Sequence, residues 1–146
     1  MPSKSISIFD RVSRQKLWAG AVIAGLVVVF LIFDGVTKVI QIEAVKEASV
    51  QLGLSASVTP AIGVVLLICT AIYVIPATRI FGAILLTGYL GGAIAIHVRA
   101  ENGAFPVIFA ATLAVLLWIA LVLREPGLLR LILLRQWPAD PVRDAE

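Results

Sequence analysis

Apolar positions in this chain come in unbroken runs rather than in the periodic stripes of a water-soluble helix. Leu17 to Phe33, Thr59 to Ile75, Ile80 to Ile96 and Phe105 to Leu123 hold no charged residue. Each run approaches the ~20 apolar residues needed to span about 30 Å of hydrocarbon. In lipid a segment must satisfy its own backbone groups, and strands of this number and length would not close a barrel, so the runs predict helices. Pro60 and Pro106 sit in predicted first turns, where the missing N–H costs little. Pro76 stops the second run, so Pro76 to Arg79 is predicted to be a tight hairpin that makes spans two and three antiparallel neighbours.

The polar stretches are patterned too. Between Asp34 and Val58, the residues Val36, Val39, Ile40, Val45 and Ala48 recur at near-helical spacing, with Lys38, Gln41, Glu43, Lys46 and Glu47 between them. This predicts an amphipathic segment over about 36–52, lying on the membrane surface or continuing the first span. Leu128 to Leu134, with Arg130 and Arg135, reads as an interfacial helix over about 127–136, followed by a polar tail from Pro138.

Composition strengthens the membrane reading. Of 146 residues, 60% are apolar and 14% charged, with a mean hydropathy of +1.03. Soluble chains run near half apolar and a quarter charged. The expectation is one all-α membrane domain over 1–146, a polytopic bundle of four transmembrane helices. The first run is longer than a signal h-region and no small-x-small site follows it, so it is read as a retained span. The net charge of +3 is assigned to orientation and anionic lipid rather than to nucleic acid, because no basic and aromatic interleaving is present. With both termini cytoplasmic, nine basic residues (Lys4, Arg11, Arg14, Lys16, Arg79, Arg124, Arg130, Arg135 and Arg143) lie inside and three (Lys38, Lys46 and Arg99) outside. Trp18 and Trp137 then fit as inner interfacial anchors.

Candidate chemistry is sparse. Cys69 is the only cysteine, which excludes an intrachain disulfide and a dithiol mechanism. One histidine, one cysteine and no clustered acids make no metal set, and no nucleotide motif is present. No carboxylate lies at mid-depth, which disfavours a proton-coupled carrier. The third span holds the most features. Gly88, Gly91, Gly92 and Ala95 form a strip for helix packing, to be filled by a neighbour in the same bundle or by a second copy of the chain. Tyr89, Ala93 and His97 follow at four-residue steps along an adjoining face. Asp34 and Lys38 end the first span at the same outer level as His97 and Arg99. An antiparallel bundle would let Asp34, Lys38, His97 and Arg99 converge into an outer polar pocket above Tyr89. The alternative is a helix-end ion pair and a snorkelling arginine. No residue is assigned a catalytic role.

These residues also carry a resemblance. Gly82-Ala-Ile-Leu-Leu-Thr-Gly-Tyr-Leu-Gly-Gly-Ala-Ile-Ala-Ile-His-Val-Arg99, together with Asp34-Gly35, Lys38, the Pro76 turn with Thr78, and Trp118 to Arg124-Glu125-Pro126, resembles the DoxX-like family of small four-span membrane proteins. The resemblance implies a four-helix bundle in a bacterial inner membrane. It also implies links to quinone-dependent sulfur oxidation, to membrane oxidoreductase complexes that handle thiol or oxidative stress, and in distant relatives to chaperoning of membrane proteins. Two expectations follow. One is an accessory subunit whose outer pocket takes a small lipophilic ligand or a partner protein; the other is a membrane subunit of a quinone-linked oxidoreductase. The partners implied are the lipid bilayer with a membrane oxidoreductase or a homo-oligomer, and a quinone is the implied ligand.

Overall fold

The structure, a computed structural model, describes residues 5–55, 57–125 and 128, with side chains from Arg14 onward. Among these residues it is all-helical: α1 Ser5–Val39, α2 Glu43–Gln51, α3 Thr59–Val74, α4 Arg79–Arg99 and α5 Ala104–Arg124, with one 3-10 turn at Pro76–Thr78. Three segments, Arg14–Val39, Pro76–Arg99 and Ala104–Arg124, are long and apolar enough to cross a bilayer. The 16-residue α3 is apolar but shorter, at about 24 Å for 1.5 Å per residue. The interfacial helix expected over 127–136, and Trp137 with it, lies outside the described residues except for Leu128, which is buried in the core.

Four helices pack as a ring in which α1 and α4 each touch α3 and α5. The inward positions repeat every three or four residues: Ala24, Val27 and Leu31 on α1; Leu66, Cys69 and Tyr73 on α3; Ala83, Leu86 and Leu90 on α4; Leu113, Leu117 and Leu121 on α5. That spacing is the seam of near-parallel helix packing. The outward positions are apolar as well, among them Val22, Leu26, Val29, Ile68, Ile84, Ile108 and Val115. A bundle apolar both inside and outside is one solvated by lipid.

Close approach falls on glycines other than those of the predicted strip. A Cβ on Gly63 would lie 2.7 Å from the carbonyl oxygen of Gly35, and one on Gly35 would lie 2.8 Å from Leu67. α1 and α3 therefore cross almost backbone to backbone. Gly20 stands in the same way against Leu123 and Arg124 of α5, and Gly82 against the backbone of Tyr73. Gly88, Gly91 and Gly92 have nothing within 4 Å of a built Cβ, and Ala95 is exposed. Among the described residues the strip is thus not covered by a neighbour, because α4 turns its opposite face, with Gly82, Ala83, Leu86 and Leu90, to α3 and α5.

The helical pattern read across 36–52 is interrupted. α1 continues to Val39, then Gln41 adopts φ 52 and Ile42 an extended ψ of 138 before α2 begins. Val36 and Val39 thus belong to the first long helix, and Val45 and Ala48 to a separate short one. At the other turn, the residue before Pro76 is extended as proline requires, with Ile75 at ψ 122. The Thr78 hydroxyl donates to the Ile72 carbonyl at 2.8 Å, tying the hairpin back onto α3.

Candidate functional site

Asp34 and Lys38 lie one turn apart on α1 and form an ion pair, both partly buried. Thr37 between them is buried and donates to the Asp34 carbonyl at 3.0 Å, so its hydroxyl is satisfied within the helix. On α4, Tyr89 is partly buried against the core. Its hydroxyl makes no hydrogen bond among the described residues. Other interior hydroxyls are all engaged: Thr70 donates to Leu66 at 2.8 Å, and Tyr73 reaches across the ring to the Leu117 carbonyl at 3.4 Å.

The remaining members of the expected pocket go elsewhere. His97 Nδ1 receives the side-chain amide of Asn102 at 3.2 Å, and Arg99 reaches the Leu52 carbonyl in the connection after α2, at 3.5 Å. No hydrogen bond or ion pair joins His97 or Arg99 to Asp34, Lys38 or Tyr89 among the described residues. A cleft of about 390 Å³ at the α4–α5 connection includes His97 but none of the other four. Among the described residues the five therefore form no single hydrogen-bonded cluster: Asp34 pairs with Lys38, His97 with Asn102 and Arg99 with the Leu52 carbonyl, while Tyr89 is partly buried against the core. No group of three or more metal-ligating side chains occurs among the described residues.

Two polar contacts at the opposite end and middle of the bundle were not singled out from the sequence. Arg79, 8% exposed, pairs with Glu125 at 2.7 Å and so joins the start of α4 to the end of α5; its Nε finds no partner among the described residues. A lone charge between two apolar runs was the available signal. Trp118 donates to the Thr87 hydroxyl at 2.9 Å, and Thr87 in turn donates to Ala83, which joins α4 and α5 inside the apolar zone. Beside Trp118 a wholly apolar groove of about 440 Å³ runs along Val115, Ile119 and Val122.

With this geometry established, comparison with known proteins decides the family. The model of the DoxX-like family matches residues 22–120, about two-thirds of the chain and nearly all of the ring of helices. The chain belongs to the DoxX-like family. No curated protein and no solved structure matches it significantly. This DoxX-like chain is a multi-pass membrane protein in contact with lipid. The family match spans Asp34, Lys38, Tyr89, His97 and Arg99, and it stops just short of Glu125.

Proposed function

We propose that this DoxX-like protein is a non-catalytic accessory subunit of the inner membrane that holds a small lipophilic ligand in the outer half of its bundle. In this reading α3 is the fourth crossing, both termini are cytoplasmic, and Asp34, Lys38 and Tyr89 form the ligand site. The distribution of basic residues, nine against three, supports the orientation.

The observation that carries the proposal is the Tyr89 hydroxyl. Every other interior hydroxyl of the described core has a partner, whereas this one has none among the described residues. The hydroxyl is only partly enclosed, and in hydrocarbon a polar group left without a partner costs free energy. A ligand offering an acceptor recovers that cost and leaves its apolar body among the α1, α3 and α4 side chains. A quinone carbonyl is such an acceptor. That supports the alternative in which the bundle is the membrane subunit of a quinone-linked oxidoreductase, with electrons arriving from a partner. A partner oxidoreductase or a second copy would meet the bundle on its lipid-facing sides.

The test is mass spectrometry of protein extracted in mild detergent, wild type beside Tyr89→Phe. The wild type is expected to retain a lipophilic small molecule and the variant to lose it at unchanged helicity. Equal retention by both would remove Tyr89 from the site, and a wild type that retains nothing would overturn the reading.

A further inference from the structure

The connection between α4 and α5 holds polar groups that the interior site does not use. After Arg99 the chain turns through Ala100 to Gly103, with Glu101 at φ 51 and Gly103 at φ 77. Glu101 is held in the left-handed region, which a residue with a Cβ adopts at a cost. Its carboxylate forms no ion pair among the described residues, and Glu101 is one of the residues lining the 390 Å³ cleft, with His97, Asn102, Val98, Val107 and Ile108. Asn102 is fixed twice, its backbone N–H donating to the His97 carbonyl and its amide to His97 Nδ1, both at 3.2 Å. An amide nitrogen can only donate, so Nδ1 accepts and the neutral ring carries its proton on Nε2. The cleft is therefore lined by one N–H donor residue, His97, and by one acidic residue with no ion pair among the described residues, Glu101, four positions apart in the chain. Val98 and Ile108 beside them are exposed, as is Phe105 just beyond, which makes this edge lipid-facing.

We propose that the cleft is a head-group site for a phospholipid bearing a primary ammonium, a phosphoethanolamine lipid. The phosphate accepts from His97 Nε2–H, the ammonium donates to the Glu101 carboxylate, and the acyl chains lie along Val98 and Ile108. Charge selects this head group. A net-anionic head would bring its charge to an unpaired carboxylate. A phosphocholine head carries its charge without an N–H to donate. The nearest cation in sequence, Arg99, is turned to the Leu52 carbonyl. The site uses none of the interior residues and stands apart from the ligand proposed at Tyr89.

The experiment is native mass spectrometry of the full-length protein, titrated with phosphatidylethanolamine, phosphatidylcholine and phosphatidylglycerol of identical chains. One charge-assisted hydrogen bond predicts roughly tenfold tighter binding of the ethanolamine lipid than of the other two. Glu101→Gln, at an exposed position, should bring the ethanolamine and choline lipids to within about twofold of each other, since only the charge-assisted bond is weakened. His97→Ala should weaken all three, and Tyr89→Phe should leave the preference as in the wild type. Equal affinity for ethanolamine and choline lipids in the wild type, or a preference that survives Glu101→Gln, would overturn the proposal.

Discussion

Replacing Gly82 by alanine is expected to destabilise the bundle more than any other single methyl addition on α4. The added Cβ would stand 2.4 Å from both the N and the Cα of Tyr73 and 2.8 Å from the Ile72 carbonyl carbon. These are backbone atoms of a neighbouring helix, so no rotamer change relieves the contact and α3 must move away from α4. Overpacking of a core costs about 1–3 kcal/mol, and a clash with backbone belongs at the upper end of that range. In a membrane the loss is not offset elsewhere, because helix association rests on van der Waals contact and not on expulsion of water. The control lies on the same helix: Gly88→Ala meets nothing within 4 Å. It should be neutral or slightly stabilising, since alanine is the better helix former. Thermal unfolding of the two variants in one detergent should separate them by several degrees in Tm.

The second large effect concerns Arg79 and Glu125. Glu125→Gln leaves a guanidinium that is 8% exposed with its charge uncompensated. Breaking a buried pair costs about 3–5 kcal/mol, and the 42% exposure of Glu125 reduces this to about 2 kcal/mol. Arg79→Met combined with Glu125→Gln removes the stranded charge and should restore most of the loss, because replacing both partners avoids the desolvation that makes a half-pair costly. A double-mutant cycle read by chemical denaturation in detergent checks this. Additive losses would show that the two side chains do not interact, and a double variant no more stable than Glu125→Gln would show that the buried charge is not the cause.

These two sites mark what the sequence makes legible and what it hides. Lipid forces spans to be apolar and helical, so the helices could be read from composition, and the Arg79 to Arg99 stretch is a single helix between two arginines. The inward face could not be read the same way, because residues facing lipid and residues facing the core are equally apolar. Small residues were the remaining guide, and they are ambiguous: Gly82 and Gly88 both lie on α4, yet one abuts Tyr73 and the other faces outward. The break at Gln41 was hidden for a local reason, since a positive φ at glutamine leaves no mark in a hydrophobic pattern. Of the expected pocket, Asp34 and Lys38 were legible by their four-residue spacing. The turn of His97 toward Asn102 depended on the loop conformation, which Glu101 and Gly103 set by left-handed torsions.

The orientation of α4 underlies the proposed function, which places its site in the outer half of the membrane. It can be measured in a Cys69→Ala background with single cysteines at two exposed positions flanking the helix, Ala77→Cys and Ala104→Cys. A membrane-impermeant thiol reagent added to intact cells should label Ala104→Cys at once and Ala77→Cys only after the membrane is opened. Labelling of both from the same side would show that α4 does not cross the bilayer, and the reverse pattern would place His97 on the inner face, against the proposed orientation.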